Sequence, residues 1–205
     1  MEVLDIIYKM LCVFVPCMIY QWFALKRPQK VSKKHLIGVF IFVFYLYLCL
    51  DVAGIGTIWQ IGRYPTLIRM DEINLIPFSS DGAITYVLNM IMFLPLGFLL
   101  PLIWKNMRNA SKVFWTSFGF SCGIEFCQLF NRRVTDIDDL MMNTFGGILG
   151  FLIWKIFTKI FKKDAKSDNT ISENEPIFYL LLAVLGKFLL YDGLSFVTFL
   201  EKIGL

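Results

Sequence analysis

A small set of polar side chains stands out in a chain that is otherwise apolar. Glu125 and Gln128 are three residues apart, so on a helix they share one face. A polar stretch follows with Arg133, Asp136, Asp138 and Asp139, and Asn143 comes four residues after Asp139. Upstream lie Asn89 and the run Asn74, Leu75, Ile76, Pro77, Phe78. Carboxylates at this density can divide acid and base roles, offer oxygen ligands to Mg²⁺ or Ca²⁺, or cap a helix N-terminus. Asp138 or Asp139 is expected to cap the helix that follows. Arginine adds a planar fork that suits a phosphate or carboxylate. Glu125, Asp136 and Asp139 are therefore the candidates for acid–base chemistry. The wider ligand-binding set is Asn74, Pro77, Phe78, Asn89, Glu125, Gln128, Arg133, Asp136, Asp139 and Asn143.

Other chemistries have little material. Cys12, Cys17, Cys49, Cys122 and Cys127 all lie inside apolar runs, and none forms a CxxC pair. The single histidine, His35, sits between lysines in what reads as a short hydrophilic loop, so a histidine triad or an HExxH site is excluded. No metal site and no cofactor is expected.

The elements that position these residues follow from composition. Of 205 residues 57% are hydrophobic and 18% charged, and mean hydropathy is +0.64. Soluble domains run near 45–50% and about 25% on such counts. A water-soluble domain and a disordered chain are both excluded, and the lack of apolar–polar alternation argues against an outer-membrane barrel. Net charge is +4; in a membrane chain such a balance reports topology rather than a nucleic-acid groove. A crossing helix needs about 20 apolar residues. Candidates fall at 3–25, 36–56, 83–104, 113–130, 140–161 and 177–200, with Pro95 expected to kink the third. The fold class is thus all-α, a polytopic integral membrane bundle of about six transmembrane helices.

The division expected along the chain is a first helix and loop over 1–35, a body over 36–161, a flexible polar linker over 162–176, and a last helix over 177–205. The first span does not read as a cleavable signal, because Lys26 and Arg27 follow its apolar run. Lys187 and Asp192 within the last span are expected to turn inward or snorkel. Gly146 and Gly150 form a GxxxG spacing that admits another helix closely.

Lysine and arginine orient the spans. The loops after the first, third and fifth spans hold thirteen of the twenty, and the opposite side holds Arg63, Arg69, Arg132, Arg133 and Lys202. The thirteen-rich side is expected to be cytoplasmic. The polar set then lies at one level, the outer third of the membrane. The loop at 57–82 is long enough to pack on the body or to form a lid over an outward cavity. Glu125 inside a span calls for a partner or for water. It is expected either to pair with Arg133 and tether the loop, or to line an outward pocket; the two are compatible.

The motifs resemble the VanZ-like family of bacterial membrane proteins. They are Asn-Leu-Ile-Pro-Phe at 74–78, Asn-Met-Ile-Met-Phe-Leu-Pro-Leu-Gly at 89–97, Glu-Phe-Cys-Gln at 125–128, and the run from Arg133 through Asp136, Asp138, Asp139 and Asn143 to Gly146 and Gly147. The resemblance implies an all-helical bundle in the bacterial cytoplasmic membrane. It also implies resistance to teicoplanin, a lipid-bearing glycopeptide, and to related lipoglycopeptides. The expected partners are membrane lipids with a lipid-linked peptidoglycan precursor, a lipoglycopeptide antibiotic or a wall enzyme, and no nucleic acid. The alternative is a membrane enzyme that modifies a lipid-linked substrate at the outer leaflet by carboxylate acid–base chemistry.

Overall fold

The computed structural model describes residues 2–26, 31–63, 73–78, 82–131, 133, 135–161 and 172–202. These form seven α-helices and one pair of two-residue strands. The helices are α1 (Glu2–Leu25), α2 (Lys33–Ala53), α3 (Ala83–Ile103), α4 (Ala110–Gln128), α5 (Ile137–Ile160), α6 (Glu175–Leu190) and α7 (Gly193–Lys202). Strand β1 (Ile73–Asn74) pairs in parallel with β2 (Thr135–Asp136), Ile73 opposite Thr135 and Asn74 opposite Asp136.

Local sequence sets the helix limits. Ser32 caps α2 by accepting the His35 N–H, and Gly54 ends it in the left-handed conformation at φ 59°. Asn109 caps α4 through the N–H groups of Ser111 and Lys112. Helix α6 opens with a proline in its first turn, where no intrahelical N–H is lost. Helix α3 runs on through both Pro95 and Pro101.

Helices α1, α2, α3 and α5 are long and apolar enough to cross a bilayer. Large apolar side chains such as Val3, Ile6, Phe40, Ile84, Ile91 and Ile156 face outward from the bundle. Such outward apolar faces on helices of this length suit hydrocarbon. The chain is an all-α integral membrane protein. Of the six expected spans, the remaining two are shorter or more polar. Helix α4 has 19 residues and carries Ser117, Ser121, Glu125 and Gln128 on its buried faces. The last expected span is not one helix: α6 stops at Leu190, Tyr191 and Asp192 turn the chain, and α7 begins at Gly193. The turn is held where the Asp192 N–H meets the Tyr8 hydroxyl and where Asp192 pairs with Arg63 at 3.2 Å. Asp192 therefore neither turns into a span nor snorkels from one.

Consecutive helices among α1–α6 run in alternating directions, and polar contacts tie their ends. At one end, Lys187 of α6 is buried and sits 3.1 Å from Asp51 of α2, while Lys9 of α1 bridges Asp5 and Asp51. At the other end the histidine assigned to a loop by sequence is in the first turn of α2, buried, with Nε2 2.9 Å from Glu175 Oε1. Trp104 Nε1 donates to the other Glu175 oxygen at 3.0 Å. Glu175 is fully buried. It falls within the stretch read as a polar linker, yet it and Pro176 are the first residues of α6.

Helices α3 and α5 form the tightest contact, and glycine permits it. A Cβ on Gly97 would stand 1.7 Å from the Gly147 carbonyl oxygen, and one on Gly150 2.0 Å from that of Leu94. Both are impossible contacts, so the two backbones touch. Gly150→Val is expected to lower the melting temperature of the purified protein sharply, since overpacking costs about 1–3 kcal/mol or more. Gly119→Ala, where a Cβ meets nothing within 4 Å, should leave it unchanged. Removing residues 172–202 is expected to reduce folded yield, because it strands buried His35 and leaves half-exposed Asp51 with Lys9 alone.

Candidate functional site

The polar residues gather where α3 and α5 begin and α4 ends. The N-cap of α5 is Asp136, not Asp138 or Asp139: its carboxylate accepts the Asp138 N–H at 2.9 Å. Its other oxygen accepts from the Asn74 amide at 3.2 Å, and its own N–H donates to Glu125 Oε2 at 3.3 Å. Asp136 thus joins α4, α5 and strand β1.

Asp138 is the most enclosed member, with no exposed surface. One carboxylate oxygen accepts the Phe78 N–H at 2.7 Å and the other the Tyr86 hydroxyl at 2.7 Å. The 74–78 segment is shaped for this. The Asn74 side chain accepts the Ile76 N–H in a local turn, and Phe78 takes φ 59°, a left-handed value that a bulky residue seldom adopts. The Asp138 bond compensates that strain. The side chains of Pro77 and Phe78 remain exposed, so it is the backbone of this segment, not its apolar groups, that builds the site.

The other candidates take different places. Asn89 donates to Asp139 Oδ1 at 2.5 Å, linking α3 to α5. Asn143, one turn further along α5 and 2% exposed, donates to Ser121 Oγ at 2.9 Å. Gln128 turns away from the carboxylates and donates to the Ala53 carbonyl at 2.9 Å, fastening α4 to α2. Arg133 makes no ion pair with Glu125, contrary to expectation. Its guanidinium lies against Gly54, where an added Cβ would come within 2.9 Å of it. Asn131 donates to the Gly54 carbonyl and accepts the Arg133 N–H, which brings Arg133 to the end of α2.

Asp138 and Tyr86 belong to the polar cluster, though neither stood in the ligand-binding set read from the sequence. Asp138 looked like one cap among three acids. Tyr86 precedes Asn89 by three residues, a spacing that places both on one face of α3 and could have found it. Among the described residues, no group of three or more His, Cys, Asp or Glu side chains is placed to hold a metal ion.

An apolar groove of about 780 Å³ adjoins the polar cluster. Tyr86, Val87 and Met90 of α3, Leu140 and Phe145 of α5, and Phe118 of α4 line it. Tyr86 belongs to both: its ring faces the groove and its hydroxyl binds Asp138.

A match to the VanZ/LLP1 family covers residues 36–158, which is α2 through α5 and every residue of the cluster. The chain belongs to that family. It is also 33% identical over 90 residues to Protein VanZ of Enterococcus faecium, covering 43% of this chain and 55% of that protein. The chain therefore spans about half the length of that curated relative. No solved structure matches. Within the VanZ/LLP1 region, the four motifs are the pieces that meet in space: 74–78 and 89–97 bracket the start of α3, 125–128 ends α4, and 133–147 opens α5.

Asp138→Asn tests the clasp. It presents an amide N–H₂ to one of two donors, leaving one buried group unmatched at about 1–3 kcal/mol. The expected result is a lower melting temperature and faster amide exchange at Ile76 and Phe78, with α2 and α6 protected as before.

Proposed function

We propose that the polar cluster and the groove form one site for an amphiphile at the outer leaflet, and that through it this protein confers resistance to teicoplanin-type lipoglycopeptides in a bacterial cytoplasmic membrane. The ligand is a lipid-linked wall precursor or the lipid-bearing antibiotic itself. The observation that carries this reading is Tyr86, which belongs at once to the apolar groove and to the carboxylate clasp. An acyl chain needs an apolar, laterally open channel, and a head group needs hydrogen-bonding partners at its mouth. The groove supplies the first, and the half-buried Asn89 and Asp139, on the same helices as Tyr86 and Asp138, supply the second.

Binding accounts for the cluster better than acid–base catalysis does. Asp136, Asp138 and Asp139 each accept bonds that hold the fold together, so proton transfer at any of them would loosen the site. The orientation rests on the lysine and arginine imbalance, which puts the cluster outside and makes all six helices α1–α6 crossings. Wall precursors and glycopeptides are encountered on that face.

Two measurements test it. An impermeant thiol reagent on intact cells should label Leu75→Cys and spare Ser32→Cys; the reverse pattern refutes the orientation. Val87→Trp fills the groove from an exposed position. It should abolish teicoplanin resistance and teicoplanin binding to the purified protein while membrane abundance and melting temperature hold. Full resistance in a stable Val87→Trp variant would sink the amphiphile reading.

A further inference from the structure

The α4–α5 interface carries a polar ladder with a regular register. Ser117 faces Gly147: a Cβ there would stand 2.2 Å from Ser117 Oγ. Four residues up α4 and four residues back along α5, Ser121 meets Asn143 at 2.9 Å. Another step of four along each helix brings Glu125 level with Asp139. Four residues are about 6 Å of helix, so the three rungs descend about 12 Å from Glu125 into the bundle.

The ladder carries two carboxylates and no cation of its own; Arg133 is the positive charge that acts on both. Neither Glu125 nor Asp139 makes an ion pair among the described residues, and Arg133 lies on Gly54 instead. Glu125 uses one oxygen for the Asp136 N–H. On the ladder, the buried oxygens Asn143 Oδ1 and Ser117 Oγ have no partner among the described residues. Side chains on a helix lean toward its N-terminus, so Asn143, 98% buried by its 2% exposure, leans toward Asp139 and the upper rung. Buried charge is ordinarily paired or bound to an ion. The unmatched Asn143 amide oxygen can only accept.

We propose that the Glu125–Asp139 rung, with the Asn143 carbonyl oxygen and Ser121 hydroxyl beneath it, binds one small monovalent cation taken from the side that the polar end faces. The donor set is all oxygen, as a hard cation requires. The inference shares the orientation of the amphiphile reading but needs neither its ligand nor the groove.

The full chain in phosphatidylcholine nanodiscs is titrated with radiolabelled Na⁺ and melted in NaCl against equal choline chloride. Saturable Na⁺ binding and a melting temperature several degrees higher in NaCl are expected. Glu125→Gln should abolish both. Ser121→Ala, which removes one hydroxyl from a well-packed site, should fold and weaken Na⁺ binding by about tenfold. Val87→Trp should leave Na⁺ binding unchanged, so loss of amphiphile binding and loss of cation binding are told apart. Binding no greater than in choline, unaltered binding in a folded Glu125→Gln variant, or a response to Mg²⁺ or Ca²⁺ at lower concentration than to Na⁺ overturns the proposal.

Discussion

Backbone contact between α3 and α5 is the constraint on which the site depends. Gly97 lies against Gly147, and Gly150 against the Leu94 carbonyl, with no room for a methyl group. In hydrocarbon there is little hydrophobic drive to bring helices together, so close packing of small residues supplies it. Because these two axes approach so nearly, Asn89 reaches Asp139 and Tyr86 reaches Asp138 at the helix starts. A side chain at Gly97 or Gly150 would separate both pairs.

The polar end follows a second constraint, that buried carboxylates must find donors. Asp136 and Asp138 take theirs from backbone N–H groups of α5 and of the 74–78 segment, and from Asn74 and Tyr86. This recruits a distant loop into the bundle and explains the parallel β1–β2 pairing, whose two residue pairs bring Asn74 beside Asp136. Glu125 and Asp139 make no close ion pair among the described residues, and Arg133 is the positive charge that acts on both.

The opposite end is closed by a different arrangement. His35, Glu175 and Trp104 lock the starts of α2 and α6 to the end of α3. Together with Lys187 and Asp51 at the far end, this clamps α6 at both of its termini. Helix α1 packs on α6, where Gly186 lies against the Cys12 carbonyl. The α1–α6 side braces α2, while the α3–α5 side carries the site.

Membrane insertion, helix content and the level of the polar residues were legible in the sequence, because hydrophobicity and a 3.6-residue period are local properties. Asn89, Glu125, Gln128, Arg133, Asp136, Asp139 and Asn143 were grouped at one level from sequence, of which Gln128 and Arg133 turn to α2 instead; the GxxxG at Gly146 and Gly150 was read as a helix contact. Pairing was not legible. Glu125 and Arg133 are opposite charges eight residues apart, yet the turn after α4 sends Arg133 to Gly54 and leaves Glu125 with a backbone N–H. His35 looked solvated among lysines because its partner is 140 residues away. Lys187 and Asp192 looked like one span until a turn separated them, one bound to Asp51 and the other to Arg63. Which elements form is written in neighbouring residues. Which charge meets which depends on how helices distant in sequence are brought side by side, and that was decided by packing of the whole bundle.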